Sequence, residues 1–183
     1  RRVLFRSVAL DRNDLCRPAL ATTPGANPRT ALTFDRYRGG GTTTVELAFV
    51  DWAKPESAAD TVTVSDNPAT NIAPAVAFTP DGDAAWVGWH TNTDGADGWD
   101  IPRWFRVARV DRGARRVSRP AWPPPMMDTA KTGTDQGTEF VRLAVAADGT
   151  LAVLARASHR FVMQVYRGGA WSASSLRRMW PMC

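Results

Sequence analysis

Lysine is nearly absent from this chain: of 23 basic residues only Lys54 and Lys131 are lysines, and the rest are arginines. Histidine, cysteine and tyrosine are as scarce, with two of each. The cysteines, Cys16 and Cys183, lie near opposite ends and form neither a metal-ligand spacing nor a disulfide framework. No run of about 18 apolar residues occurs, so no membrane-spanning helix is predicted. Nor does any useful length of chain show the 3.6-residue apolar period of a helix. The formal charge is +5, but Arg1, Arg2 and Arg6 supply three of those charges and leave +2 on the remainder. That excludes the basic surface with which proteins neutralise nucleic-acid phosphates. The preference for arginine reads as a GC-rich coding bias rather than a site needing planar guanidinium groups.

The opening RRVLFRS has no initiator Met, no apolar signal core and no periodic pattern. It back-translates as AGA CGT GTG CTC TTC CGA TCT, which looks like the end of a short-read sequencing adapter. Residues 1–7 are therefore expected to be an adapter scar on a metagenomic fragment, outside every structural element. A native edge strand over VLFRSVAL is the alternative.

What is present is a pattern repeated three times. PAVAFTPDGDAAWVGW (74–89) has a partner in RLAVAADGTLAVLAR (142–156), with Asp81-Gly82 over Asp148-Gly149. A weaker copy, PALATTPGANPRTALTF (18–34), puts Pro24-Gly25 in the turn. Pro18 and Pro74 are 56 residues apart, and Asp81 and Asp148 are 67 apart. Each copy continues through a polar loop into an alternating run, TTVELAFVD (43–51), WFRVARVD (104–111) or RFVMQVYRG (160–168), with the two-residue period of a strand. A short fourth segment follows: TVTVS (61–65), RRVSR (115–119) or AWSASSL (170–176). Pro and Gly fall mostly between the runs, as turn residues do.

The expected fold is all-β: a partial β-propeller of about three four-stranded antiparallel blades forming an open arc. The repeats span 17–65, 74–119 and 140–176, with a Pro/Gly/Thr-rich linker, 120–139, that includes PPPMMD. A β-sandwich is the competitor, but its strands would not recur in fours with the same turn chemistry at the same place. Since closure takes about four to eight blades, the terminal blades of a three-blade arc should expose apolar faces.

The copies are similar to those of bacterial TolB-like and sialidase-like propellers, particularly large extracytoplasmic ones. In these a blade runs Pro, small apolar strand, Pro-Asp-Gly, Trp-containing strand, Trp-Asp-Ile, Arg-containing strand. Pro74, Asp81, Gly82, Trp86, Trp89, Trp99, Asp100 and Ile101 match. The resemblance covers most of residues 17–176, the middle copy best. It implies a larger exported protein, periplasmic or secreted, whose remaining blades would be this segment's partners.

Candidate chemistry is sparse. Sialidase-type hydrolysis needs an arginine cluster, a tyrosine nucleophile with a carboxylate, and an acid. Tyr37 and Tyr166 instead sit in or beside repeat strands. VYRGGAWS (165–172) resembles the end of an Asp-box turn through Gly169 and Trp171 but lacks its Ser and Asp. His90 and His159 have no Ser or Cys at triad spacing. Trp86, Trp89, Trp99 and Trp104 cluster in one copy. Such rings either pack between blades or stack on a ligand, and Trp89, His90, Trp99 and Trp104 are the candidate ligand residues. In NTDGADGWD, Asn92, Asp94, Asp97 and Asp100 crowd oxygen ligands around Gly95 and Gly98. That is a Ca²⁺-type donor set without the bidentate Glu of an EF-hand, and a solvated turn-forming loop is its alternative. With no catalytic residue assigned and no cofactor beyond candidate Ca²⁺, the expected function is a non-enzymatic recognition or scaffolding module for a protein or glycan. The alternative is a non-catalytic fragment of a sialidase-like glycoside hydrolase.

Overall fold

The computed structural model describes residues 17–53, 60–92, 103–121, 138–157, 160–172 and 175–178. Residues 1–7 and most of the 120–139 linker lie outside these. Every regular element among the described residues is a strand. The first sheet is β1 (Ala19–Thr22), β2 (Thr30–Gly39), β3 (Thr42–Val50) and β4 (Thr61–Thr63). The second is β5 (Asn71–Phe78), β6 (Ala84–Asn92), β7 (Arg103–Asp111) and β8 (Val117–Ser118). The third is β9 (Thr138–Val145), β10 (Leu151–Ala157), β11 (Arg160–Arg167), β12 (Ala170–Trp171) and β13 (Ser175–Arg178). Each sheet is an antiparallel meander in chain order. The fold is a partial β-propeller, three blades in an open arc.

Two details depart from the repeat pattern. The fourth segment of the third blade divides, with Ala170–Trp171 pairing Tyr166–Arg167 and Ser175–Arg178 pairing Arg160–Met163 along the same edge of β11. The first strand of the second blade starts at Asn71, ahead of the Pro74 that opens the repeat in sequence. Proline is tolerated there because β5 is an edge strand, and its register shifts between Ile72 and Ala75, with Ala73 at φ 52°, as in a bulge.

The turns between first and second strands close on one bond each: Thr23 N to Arg29 O at 2.9 Å, Thr79 N to Ala84 O at 2.9 Å, and Ala146 N to Thr150 O at 2.9 Å. In two of them an aspartate organises the loop, Asp81 Oδ1 accepting from Asp83 N at 2.9 Å and Asp148 Oδ1 from Thr150 N at 3.0 Å. These are Asx turns. The Thr79 hydroxyl and the Asp83 N–H hold the Asp81 carboxyl below the usual carboxylate range, and the Thr150 N–H does the same for Asp148. The left-handed residues that follow are Gly82 and Gly149, at φ 69° and 82°. The second turn is one residue longer than the third. Past the Asp-Gly pair, Val87 therefore corresponds to Val153, and not to the Leu154 that a gapless alignment would give.

That register makes the second sheet two-faced. Ala85, Val87, Trp89, Ala108 and Val110 join Ala31, Val45, Leu47 and Phe49 in a core between the first and second sheets. Ala75, Trp86, Phe105 and Val107 join Val141, Leu151, Val153 and Ala155 in a core between the second and third. Apolar residues on both faces of a strand are what burial on both sides requires. Each fully buried Val or Leu contributes roughly 1.5–3 kcal/mol. β5 packs across β1, β2 and β3, and β9 across β5, β6 and β7, so each blade's first strand lies over the blade before it.

β9 comes close because position 88 is glycine: a Cβ there would stand 2.9 Å from Val141 Cγ1 and 3.1 Å from Leu143 Cδ2. Gly88→Ala is expected to lower stability by about 1–3 kcal/mol through overpacking, read from denaturant midpoints. Gly113→Ala, where nothing lies within 4 Å, is the control and should change stability by no more than about 0.5 kcal/mol.

Candidate functional site

The candidate residues that the structure describes, Trp89, His90, Asn92 and Trp104, lie at one end of the second blade, where β5 begins and β6 ends. That end centres on Asn71, fully buried. The Asn71 amide donates to Thr43 O at 2.8 Å and Ala69 O at 2.9 Å, and its Oδ1 accepts the Trp89 indole N–H at 2.9 Å. The Asn71 backbone N–H donates to Thr43 Oγ1 at 2.6 Å, and that hydroxyl donates to Asn71 O at 2.6 Å. One asparagine thus joins β3, β5 and β6, with all four amide capacities in use apart from a single lone pair. Beside it Asn67 Nδ2 donates to Thr91 Oγ1 at 2.8 Å, and Asp66 pairs with Arg106 and Arg119 at 3.3 and 3.2 Å.

His90 and Asp35 occupy equivalent places, each six residues beyond the residue that closes its turn, Ala84 and Arg29. Both are buried. Val141 N, on the next blade's first strand, donates to His90 Nε2 at 3.2 Å, while the Ala73 backbone of β5 faces the Asp35 carboxyl and favours its charged form. Burial pushes the Asp35 carboxyl above its usual range, against the pull of backbone donors and of the Arg17 guanidinium. Asp35 Oδ1 has no hydrogen-bond partner among the described residues.

The predicted residues separate accordingly. Trp89 is 0% exposed, its ring spent on the first inter-sheet core and its N–H on Asn71, which is the packing role weighed against stacking. His90 is spent on Val141. Asn92 and Trp104 pair in the ladder with Arg103 and Thr91, and their side chains lie outside the described residues. So do Trp99, Asp94, Asp97, Asp100 and His159. Tyr166 packs edge-on against Trp86 with ring centroids 5.7 Å apart, and lies 5.0 Å from Trp171. The Trp171 N–H donates to Ala121 O at 3.0 Å. Tyr37 is 42% exposed near the far end of β2. Among the described residues no three His, Cys, Asp or Glu side chains converge so as to hold a metal, and no helix is long and apolar enough to cross a membrane.

Sequence reasoning passed over Asp35, Asn71 and Glu46. Glu46 is buried on the other face of the first blade, paired with Arg38 at 2.7 Å and receiving the Thr44 hydroxyl at 2.8 Å. Glu46 is a polar residue inside an apolar run, VELAF, and that interruption is the signal that could have found it; Asp35 in FDRY and Asn71 at the head of NIAPAVAF carry no such local mark.

No family model matches the chain, and no curated protein matches it in sequence. Among solved structures, an exo-β-1,3-galactanase from Clostridium thermocellum, a propeller-type glycoside hydrolase, superposes over 92% of this chain with a TM-score of 0.50 and 10% identity. The chain spans 37% of the length of that enzyme. At such identity the likeness concerns the fold, a blade-built all-β domain.

Asn71→Leu removes two donors and an acceptor, stranding the Trp89 N–H and the Thr43 carbonyl, while Ala69 O keeps the Thr43 N–H. At about 1–3 kcal/mol for each buried group left unpaired, it should unfold the blade pair or lower its stability by several kcal/mol, read by chemical denaturation. Asp35 sets a pH dependence of known sign. Its folded pKa is raised, so the folded state holds the proton more tightly than the unfolded chain, and its contribution improves as pH falls from neutral towards the ordinary carboxylate range. The stability difference between the parent chain and Asp35→Asn should therefore move in favour of the parent chain on acidification over that window, and a pH-independent difference would refute the assignment.

Proposed function

We propose that the chain supplies three blades, of the TolB-like or sialidase-like repeat type, to the propeller of a larger protein, and that it serves there as a recognition or scaffolding module for a glycan or protein. The observation that supports this reading is the use made of the buried polar groups. Asn71, Thr43, His90 and Trp89 hold neighbouring blades in place through contacts of packing and seating. A glycan is the favoured ligand class for two reasons. The galactanase whose fold it shares acts on a β-1,3-galactan. On this chain Trp52 is 62% exposed while its indole N–H is tied to Thr30 Oγ1 at 2.9 Å, which holds an apolar ring face towards solvent, the geometry used for stacking on sugars.

The second reading, part of a glycoside hydrolase, has its own observation in Asp35, a buried carboxyl with a raised pKa and a free oxygen of the kind that general acids use. The paired carboxylate such chemistry needs would come from outside these three blades.

The two readings part on one experiment. The coding sequence is recovered beyond both ends, and the longer protein is assayed for retention on immobilised β-1,3-galactan and for release of reducing sugar. Retention without release, weakened at least tenfold by Trp52→Ala, is the expected result. Sugar release abolished by Asp35→Asn would establish the hydrolase. Neither retention nor release would reject the glycan reading and leave a protein partner to be sought by the same module.

A further inference from the structure

The three blades differ at one surface, and the difference is best seen by counting equivalent positions from the turn-closing bonds. Four residues beyond Arg29, Ala84 and Thr150 stand Thr33, Gly88 and Leu154. Across the ladder, Thr30 faces Val50, Ala85 faces Val110 and Leu151 faces Tyr166. Counting back from those partners aligns Val45 with Phe105 and Phe161, and Leu47 with Val107 and Met163.

In the first blade Thr33, Val45 and Leu47 are 0% exposed, and in the second Phe105 and Val107 are 3% and 2% exposed. In the third, Leu154, Phe161 and Met163 are 38%, 39% and 45% exposed. Leu154 and Met163 are direct cross-strand partners, and Phe161 lies two residues from Met163 on the same face, so the three form one patch. In the first two blades the next blade's first strand supplies the cover, β5 lying across β2 and β3, and β9 across β6 and β7.

We propose that the Leu154–Phe161–Met163 face is an interface for a fourth blade of the same kind, whose first strand lies over β10 and β11 as β9 lies over β6 and β7. This rests on the reading of the chain as part of a larger propeller and adds which face is joined and by what. The occupant follows from continuity: two blade-to-blade seams repeat one geometry at these positions, and the third blade carries apolar side chains at the same positions. A lone soluble sheet face would gain nothing from three large apolar residues in contact with water.

The patch also specifies its partner. At the second seam the hollow over Gly88 is filled by Val141 and Leu143. At the third, Leu154 itself occupies the equivalent position. The strand that covers it must therefore carry small residues, Gly, Ala or Ser, where β9 carries Val141 and Leu143, because interiors are close-packed and two branched side chains do not share one hollow.

The test compares the 183-residue chain with the longer chain read from the recovered coding sequence, both carrying Met163→Cys with Cys16→Ser and Cys183→Ser. A maleimide probe reports thiol accessibility. The expected result is rapid labelling of the short chain at every protein concentration and at least tenfold slower labelling of the long chain, restored when a bulky residue replaces the small one opposite Leu154. Equal labelling of both chains, where the longer one holds a fourth repeat, would overturn the docking proposal and leave the larger-propeller reading standing. A longer chain with no further repeat would remove that reading and the proposal together. Labelling of the short chain that slows with concentration as it sediments as a dimer would name a second copy as the occupant and overturn the proposal as stated.

Discussion

The structure depends on how buried N–H groups at sheet edges are satisfied. β5 and β9 are each the first strand of a blade and lie at a sheet edge, pressed against the blade before. A buried edge N–H without a partner costs about as much as a lost hydrogen bond. The preceding blade provides the acceptors from its side chains: Thr43 Oγ1 for Asn71 and His90 Nε2 for Val141. These bonds are directional where the apolar cores are not. They set how far along one blade the next is seated, and the cores then fill the space that this seating defines.

The second blade shows both terms together. Its outer faces alternate between two cores, with Trp89 turned one way and Trp86 the other, and its close approach to the third blade requires a position without a side chain, Gly88. At the opposite end from the Asn71 cluster, Arg29 of the first blade pairs with Asp83 at 2.6 Å and donates to Asp81 O at 3.1 Å. Being largely exposed, that pair is worth about 0–1 kcal/mol, far less than the buried network. The Asn71 end is where the blades are fixed, and the Asp-Gly end is steadied rather than anchored.

For function, the consequence is that residues whose chemistry looks available in sequence have been committed by the fold. A histidine next to a tryptophan near a loop suggests a ligand site, yet here the imidazole accepts an N–H from the neighbouring blade and the indole donates to an asparagine. The groups with surface left to offer are elsewhere: the Trp52 ring and the apolar patch of the third blade. Asp35 keeps a buried oxygen without a partner among the described residues.

Strand identity, the grouping of strands in fours and the turn chemistry were legible in the chain because each is local. Two-residue alternation, Asp-Gly pairs and Pro/Gly punctuation act over a few residues and leave their mark in order. The open arc was legible as well, since three repeats of this kind are too few to close. The exchange of partners between blades was not. Asn71 looks like an ordinary polar residue at a strand start until the blades are assembled, because Thr43, which it bonds, lies 28 residues away on the preceding blade, and His90 accepts from Val141, 51 residues on. The one-residue difference between the second and third turns was equally hidden, and since side chains alternate, it changes which residues of the third blade are equivalent to those of the second. By itself the sequence determined what each segment becomes. Which side chains remain free to act was decided by tertiary packing alone, since burial and long-range hydrogen bonding consume groups according to where the blades meet, and no local pattern encodes that meeting.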